Sequence, residues 1–371
     1  MLNSKTEALG IIFPNSYDAM VPELASERLM ASIPFASRYR MCDFILSSMV
    51  HSGIDNISII VRKNYHSLLD HLGAGREWDL VRKNGGLNIV PPFAQKQVKV
   101  FEGRIEALES LRGYLLKQPQ KYVIMTDANI AINFDFNELL DAHIKSGADV
   151  TMMYRKQEIP KAFIRQSRDR MDLYYALGMN GDRVSKIYIN PTEEGEMNFS
   201  MNIYVVEREF LINMIDDAYV HGHTYFVRDL LDKQIDRLDI RGFCYDGYVV
   251  NIHDTQSYFE ENMRLLQEEN LNALFSPNQI YTKIRDDNPT RYVTGSKVEN
   301  SILADGCLIE GTVENCVLFR GVKIKKGAVV RNCVLMQDTV VEPNVELDCV
   351  VTDKNVKITA GKKLSGTESF P

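Results

Sequence analysis

The sequence contains no apolar run that approaches the roughly 18 to 20 residues of a membrane-spanning helix, and its first residues carry no small-residue cleavage pattern. It has no excess of basic residues, because 43 lysines and arginines are outweighed by 50 aspartates and glutamates, for a net charge of −7. No stretch collects Lys and Arg densely enough to reverse this balance locally. We therefore expect a cytoplasmic protein that binds neither a membrane nor nucleic acid.

Cysteine is scarce and badly spaced for cross-linking or for zinc. The six cysteines form no CxxC pair, and none has a histidine at zinc-ligand spacing. We expect reduced thiols. Cys316, Cys333 and Cys349 follow one another at about the length of one coil of the repeat described below, which predicts a stack of small apolar side chains.

The sequence contains enough apolar residues to form two hydrophobic cores. Its 371 residues are 45% apolar and 25% charged, both close to the globular average. A chain of this length is more typical of two domains than of one. We therefore expect a folded, two-domain protein.

The first domain shows alternating strand and helix patterns up to about Leu266. Five apolar segments are typical of strands covered on both faces: EALGIIF, NISIIV, YVIMT, DVTMMY and MNIYVV. A helix is predicted from Asp43 to Gly53, and another begins at the N-cap Asp135 and stops at Gly147. Strand, helix and strand in succession predict an α/β fold with a mostly parallel, Rossmann-like doubly wound sheet. Ligands of such sheets bind at the carboxyl ends of the strands.

From about Tyr292 the pattern changes to a period of six residues. Two series of apolar residues show it: Val322, Ala328, Val334 and Val340, and, two positions later, Ile324, Val330 and Met336. This period predicts a hexapeptide parallel β-helix, left-handed in this class. The expected organisation is an α/β domain over 1–266, a linker over 267–291 and a β-helix domain over 292–371.

Some hexapeptide β-helices are acyltransferases that use a histidine as general base between coils. The last histidine of this chain is His253, which precedes the repeats. The β-helix therefore lacks that base, and we expect it to serve structure and oligomer assembly instead.

Four segments of the chain resemble those of a known enzyme family. They are SRYRMCDFILSSMVHSGI, SLLDHLGAGREWDL, SMNIYVV and SILADGCLIEGTVENCVLFRGVKIKKGAVV. Together with the predicted domain order, they resemble the bacterial ADP-glucose pyrophosphorylase (glucose-1-phosphate adenylyltransferase) family along essentially the whole chain. The resemblance implies that the domain over 1–266 is a nucleotidyltransferase-like domain. The chain is most similar to the D-type regulatory subunits of that family. The resemblance implies transfer of AMP from ATP to glucose 1-phosphate with Mg²⁺, a reaction that depends on positioning and on cations and amide dipoles around phosphates.

The glycine-rich loop of the family, roughly GGxGTRLxxLTxxRxKPAxPF, falls on NSYDAMVPELASERLMASIPF here. Its glycines become Asn15, Ser16 and Asp18, its arginine becomes Met20 and its lysine becomes Met30. Glycine permits the tight turn that aims amide N–H groups at phosphates. Side chains and a carboxylate in those places would obstruct a triphosphate. We interpret Met20 and Met30 as core filler, with an adapted nucleotide pocket as the alternative.

The metal ligands implied by the resemblance are also incomplete. Asp127 in TDA matches one ligand, but Asn251 in VVNIH stands in place of the second aspartate. One carboxylate makes only a weak magnesium site. Asp127 is thus either a weak metal remnant or a residue that binds backbone amides in a turn.

The sugar-phosphate side departs from the family pattern too. Asn190 in INP replaces a lysine that contacts the sugar phosphate, and Asn202 replaces the glycine of SMGIYVF, next to the shared Ser200 and Met201. The charge that would bind a sugar phosphate is therefore missing. We treat these four residues as a remnant of the substrate site.

Basic residues do survive close to the altered loop. Arg28, Arg38 and Arg40 could bind a phosphorylated metabolite, or face a partner subunit, or be ordinary ion-paired surface arginines.

Loss of one electrostatic catalytic group commonly costs about 10² to 10³ in rate. The departures from the family pattern therefore imply a chain that keeps the fold of the family and has lost its catalytic activity. We expect a non-catalytic or weakly catalytic subunit that requires no cofactor itself and tunes a Mg²⁺-dependent catalytic chain in a heterotetramer. The alternatives are an active adenylyltransferase with a rebuilt loop and a free-standing sugar-phosphate sensor.

Overall fold

The computed structural model describes residues 7–91, 103–161, 163, 174–193 and 195–371. Nine strands in these ranges form the main sheet: β1 (Ala8–Phe13), β2 (Asn56–Ile60), β3 (Gly86–Val90), β4 (Tyr122–Asp127), β5 (Val150–Glu158), β6 (Tyr175–Asn180), β7 (Arg183–Ile189), β8 (Glu196–Glu207) and β9 (Ile240–Cys244). Their order is β3-β2-β1-β4-β8-β5-β9-β7-β6. All five apolar segments predicted as strands lie in this sheet.

The sheet is mixed, so the expectation of a mostly parallel sheet holds only for its first half. Strands β3, β2, β1 and β4 are parallel neighbours, and β5 pairs with β9 in parallel. Strand β8 runs antiparallel to both β4 and β5. Strands β6 and β7 are joined by a two-residue turn with Gly181 at φ 64°. So short a turn joins only antiparallel strands.

Seven α-helices of at least seven residues, among the residues described, pack around this sheet and toward the second domain. They are α1 (Met41–His51), α2 (His66–Leu72), α3 (Arg104–Leu115), α4 (Phe136–Ser146), α5 (Arg208–Val220), α6 (Thr255–Arg264) and α7 (Glu268–Phe275). Helix α4 has the predicted ends, because Asp135 accepts a hydrogen bond from the Asn137 N–H and Gly147 has φ 65°. No helix in the described ranges is long and apolar enough to cross a membrane.

Helix α4 also carries a buried histidine whose protonation opposes folding. His143 is 3% exposed, and its Nδ1 lies 2.9 Å from Thr151 Oγ1. Burial lowers its pKa to about 4. The unfolded chain, with a His pKa of about 6.5, therefore binds more protons between these values, so stability is full above pH 6.5 and falls as the pH drops.

We expect this histidine to cost about 2 kcal/mol of unfolding free energy at pH 5 relative to pH 7.5. Urea unfolding of the His143→Gln variant should lack that part of the pH dependence. The exposed His221 gives the matched control, since His221→Gln should keep it. Equal pH dependence in the wild type and in His143→Gln would contradict the assignment.

The six-residue period produces a parallel β-helix with three flat sheets, as predicted. Its first sheet contains Arg291–Tyr292, Leu308–Ile309, Lys323–Ile324, Val340–Val341 and Lys357–Ile358; its second contains Lys297–Glu299, Thr312–Glu314, Val329–Arg331, Glu346–Asp348 and Lys363–Ser365; its third contains Ile302–Leu303, Val317–Leu318, Val334–Leu335 and Val351–Thr352. The predicted repeat residues point inward, except that Val340 is half-buried.

The cysteine stack is only partly as predicted. All six cysteines are free. Cys316 and Cys333 are buried on adjacent coils, but the register of Val317, Val334 and Val351 makes the coils 17 residues long. Cys349 lies 16 residues after Cys333, one residue short of a full coil. It therefore occupies the corner of the coil, where its backbone has the left-handed conformation with φ 52°. It is half-buried and does not extend the stack.

The two domains are joined through a shared apolar core. This core combines residues of the altered loop and helix α1 with residues of the β-helix. The Ser37 hydroxyl donates to the Leu318 carbonyl across the junction at 3.1 Å. On the side of the first domain, the Tyr258 hydroxyl donates to the Pro34 carbonyl at 2.8 Å. Helix α7 occupies part of the predicted linker, and the domain boundaries given above stay a prediction.

Candidate functional site

A small cleft lies where β1, β2 and β4 end, the edge at which ligands of such a sheet bind. Its volume is about 110 Å³. Its walls come from the loop after β1, the start of α3 and several aromatic side chains. The lining residues used below are Phe13, Asn15, Ser16, Tyr17, Arg62, Arg104, Asp127 and Asn202.

The loop after β1 is held by its own side chains. Asn15 donates from Nδ2 to Asp18 Oδ2 at 2.8 Å and accepts the Arg62 N–H on Oδ1 at 2.9 Å. Asp18 Oδ1 in turn accepts the Met30 N–H at 2.6 Å. Side chains at two of the three positions where the family has glycine therefore bind each other and backbone N–H groups of the protein. One of them, Asp18, places a carboxylate where a phosphate would need hydrogen-bond donors.

Met20 and Met30 are buried in the core shared with the β-helix, at 4% and 0% exposure. Neither methionine lines the cleft. This placement fits the interpretation of both residues as core filler, and it leaves the cleft without the two cations that the family pattern has at these positions.

The carboxylate of Asp127 is already paired with a cation of the protein. The Arg104 guanidinium donates to Asp127 Oδ1 at 2.6 Å, and the Ser16 hydroxyl donates to the same atom at 2.7 Å. Arg104 also lies over the ring of Phe13, with its Cζ 4.5 Å from the ring centroid. Burial opposes the charge of Arg104, but the Asp127 carboxylate and the hydroxyls of Tyr204, Tyr175 and Tyr17 together outweigh burial and raise the pKa of the guanidinium.

The residues implied for magnesium do not fit the ion. Asp127 is 1% exposed, and its Oδ2 is buried without a hydrogen-bond partner in the described structure. Asn251 is not directed at Asp127, because its Oδ1 accepts a hydrogen bond from Asn129 Nδ2 at 3.0 Å. With one carboxylate oxygen bound to a guanidinium and the amide oxygen bound elsewhere, Mg²⁺ would have no prepared set of oxygen ligands.

The remnant of the sugar-phosphate site is almost closed. Ser200, Met201, Asn202 and Asn251 surround a gap of only about 10 Å³. Asn202 keeps a left-handed conformation, φ 55°, where the family has glycine. Its amide donates to the Tyr17 hydroxyl at 2.7 Å and accepts from the Tyr204 hydroxyl at 2.8 Å. Both ends of the amide are therefore used within the protein.

Asn190 lies apart from these four residues. Its Oδ1 accepts the Tyr174 N–H at 3.0 Å, and its φ is 47°. It therefore stabilises a turn and lines neither the cleft nor the gap.

Arg104, which holds the Asp127 carboxylate, was not predicted as a site residue from the sequence. A signal was present, because a cation at the first position of a helix is unfavourable beside the positive end of the helix dipole. Such a residue needs an acidic partner, which Asp127 provides from 23 residues away.

A second, larger cleft of about 510 Å³ lies at the junction of the two domains. We call it the basic cleft, and its cationic side chains are Arg38, Arg40, Lys283, Arg285, Arg320 and Lys354. The exposed His66 lies at its edge, and its acidic residue, Asp70, is paired with Lys283 at 3.2 Å. A cleft of this size and charge suits a small anionic ligand.

Arg320 gives the basic cleft an unused donor. Its side chain is 9% exposed, and its Nε has no hydrogen-bond partner within the described structure, with Asp287 Oδ2 4.0 Å away. Burial, followed by the positive charge of Arg38, lowers the pKa of Arg320. A bound anion would satisfy the free N–H and offset the repulsion.

The three arginines singled out in the sequence take different places. Arg38 and Arg40 line the basic cleft, where Arg40 donates to the Ser67 carbonyl at 2.6 Å. Arg28 is buried and forms two hydrogen bonds to Asp353 of the β-helix, at 2.8 and 2.9 Å. Arg28 therefore forms an ion pair between the two domains and does not line the basic cleft.

Comparison with known proteins gives matches over both domains. Residues 23–268 match the family model described as "Nucleotidyl transferase", and residues 284–368 match the one described as "GlmU-like, C-terminal hexapeptide". The chain is 32% identical over 369 residues to "Glycogen biosynthesis protein GlgD" of Bacillus subtilis (strain 168), covering 98% of this chain and 94% of that protein.

Two proteins of Geobacillus stearothermophilus are also similar. The first, "Glycogen biosynthesis protein GlgD", is 36% identical over 324 residues, which cover 87% of this chain and 82% of that protein. The second, "Glucose-1-phosphate adenylyltransferase", is 29% identical over 336 residues, which cover 88% and 84%. Both kinds of relative therefore match nearly the whole length of the chain.

Proposed function

The chain belongs to the nucleotidyl transferase family, with GlgD proteins and glucose-1-phosphate adenylyltransferases as its relatives, and we propose that it acts as a regulatory subunit of glucose-1-phosphate adenylyltransferase in glycogen biosynthesis. In this role the chain is non-catalytic or weakly catalytic, and it tunes the activity of a catalytic partner that converts ATP and glucose 1-phosphate to ADP-glucose and pyrophosphate.

The observation that carries the proposal is the ion pair between Arg104 and Asp127. The carboxylate that the family pattern would give to a metal is bound by a guanidinium at 2.6 Å and by a serine hydroxyl at 2.7 Å. The adjoining loop is closed by hydrogen bonds of Asn15 and Asp18. A site stabilised in this state has no place for a metal-bound triphosphate, although the fold around it is intact.

Regulation fits the basic cleft. Its six cationic side chains come from both domains, so an anion bound there would contact the β-helix and the nucleotidyltransferase-like domain together. We take the ligand to be a phosphorylated metabolite, which would act by favouring one arrangement of the two domains. The free N–H of Arg320 supports a ligand of this chemistry.

Assembly completes the proposal. We take the partner to be the catalytic subunit, the complex to be a heterotetramer in the cytoplasm, and Mg²⁺ to be needed by the complex through the catalytic chain alone. The β-helix is the proposed contact surface, and it presents Tyr292 and Phe370 at 56% and 77% exposure.

The test is co-expression with a catalytic glucose-1-phosphate adenylyltransferase chain from the same organism. We expect an affinity tag on this chain to retain the catalytic chain on a column, and the complex to form ADP-glucose several-fold faster per catalytic site than the catalytic chain alone. A complex with no change in rate or in response to phosphorylated metabolites would contradict the proposed role.

The two alternatives predict different behaviour of the isolated chain. An active enzyme with a rebuilt loop should be thermally stabilised by ATP with Mg²⁺, because a ligand that binds the folded state shifts its stability by mass action. A free-standing sensor should form a stable homo-oligomer and should not bind the catalytic chain.

A further inference from the structure

Lys354 is a lysine without a counterion in the basic cleft. It is half-buried, and its amine has no ion pair or hydrogen bond within the part of the chain that the structure describes. The carboxylate beside it, Asp353, is used by Arg28 at 2.8 and 2.9 Å and by the backbone N–H of Lys354 at 2.7 Å. The nearest acidic group is therefore already bound to other donors.

The charges around Lys354 are mostly positive. Burial, followed by the positive charges of Arg40 and Arg28, lowers the pKa of its amine to about 7, against the weaker opposite effects of Asp353 and Asp70. The other charged or titratable groups that line the basic cleft are Arg38, Tyr39, His66, His71, Lys283, Arg285 and Arg320. The two cations that act on the Lys354 amine therefore come from the nucleotidyltransferase-like domain, whereas Lys354 itself belongs to the β-helix.

We propose that binding of a phosphorylated effector in the basic cleft is coupled to uptake of one proton by Lys354, so that a falling pH strengthens effector binding. The inference rests on the proposed function, because it takes the basic cleft to be the effector site. The proton comes from solvent and binds the Lys354 amine, which becomes the ammonium group that faces the anion.

The sign follows from the two states of the cleft. Without ligand, a neutral amine avoids repulsion by the neighbouring guanidinium groups. With an anion present, the ammonium form gains an ion pair and the amine holds its proton to higher pH. The complex therefore binds more protons than the free protein from about pH 7 upward, and affinity falls as the pH rises through this window.

Sulfate is the probe that isolates this effect, since it stays a dianion across the window whereas a phosphate monoester titrates near pH 6. Isothermal titration of the full-length chain with sulfate at pH 7, 8 and 9 should use sodium chloride at equal ionic strength as the control. At pH 8, buffers of different ionisation enthalpy give the number of protons taken up.

For the wild type we expect uptake of about 0.6 proton per sulfate at pH 8 and about tenfold weaker binding at pH 9 than at pH 7. Lys354→Arg is the matched variant, because an arginine keeps its charge at every pH used. It should bind sulfate equally well at pH 7 and pH 9 with no proton uptake. Lys354→Met should bind weakly at both pH values.

The outcomes separate the inference from the proposed function. If the wild type binds sulfate without proton uptake and with equal affinity at pH 7 and pH 9, the coupling is wrong while the basic cleft stands as an anion site. If neither the wild type nor Lys354→Arg binds sulfate in excess of chloride at pH 7, the effector site itself is wrong, and the coupling falls with it.

Discussion

Replacement of Arg104 by leucine is expected to lower the free energy of unfolding by about 3 to 5 kcal/mol, which is the usual cost of removing one partner from a buried ion pair. Asp127 is 1% exposed, so its charge would remain inside the protein with Ser16 as its remaining hydrogen-bond donor. The contact of the guanidinium with the Phe13 ring would be lost as well. Urea unfolding of Arg104→Leu beside the wild type gives the measurement.

A second substitution shows whether the loss comes from the unpaired charge. Adding Asp127→Asn to Arg104→Leu should recover most of the stability, because no buried charge is then left without a partner. The surface pair of Arg112 and Asp216 supplies a matched control, and Arg112→Leu should cost far less stability than Arg104→Leu because water screens an exposed pair. A cost below 1 kcal/mol for Arg104→Leu, or a double variant no more stable than the single one, would show that the ion pair does not stabilise the closed site.

Catalysis by the isolated chain is expected to be at least about 10⁴-fold slower than catalysis by its partner. Loss of one electrostatic group commonly costs about 10² to 10³ in rate, and losses in one site combine less than multiplicatively. Here Met20 and Met30 replace two cations, Asn251 replaces a metal carboxylate, and Asp127 is held by Arg104. The assay measures ADP-glucose from ATP, glucose 1-phosphate and Mg²⁺.

The background of this assay is set by a mock purification from cells that do not express the chain. A rate indistinguishable from that background supports an inert site. Turnover well above it, comparable to that of the catalytic chain, would mean that the site uses residues other than those discussed, and that the rebuilt-loop alternative is correct.

The sequence predicted the elements whose signals are local. Apolar runs predicted the strands, and Asp135 and Gly147 predicted the ends of a helix. The period of six residues predicted the β-helix. The altered loop was also visible, because replacement of glycine by Asn15, Ser16 and Asp18 needs only an alignment. What the sequence did not show is that these side chains would bind one another and a distant N–H group.

Features that depend on distant residues were missed. Arg104 forms its ion pair with Asp127 only because α3 and β4 pack together in the fold. Lys354 is exposed to the charges of Arg28 and Arg40 only because the two domains are joined. The antiparallel strand β8 was mistaken for part of a mostly parallel sheet, because burial on both faces gives similar apolar runs in either direction. Cys349 was misplaced because one coil contains 17 residues and the spacing from Cys333 is 16.

The most direct test of the central claim is a mixed complex whose catalytic chain has been inactivated. In this experiment the metal-binding aspartates of the catalytic partner are changed to asparagine, and the partner is co-expressed with this chain, so that the complex forms with this chain's site as the sole candidate for chemistry. We expect ADP-glucose formation at background level, while this chain bound to the intact partner raises the partner's rate. Substantial turnover by the inactivated complex would contradict the account, because it would show that the closed site of this chain performs the reaction.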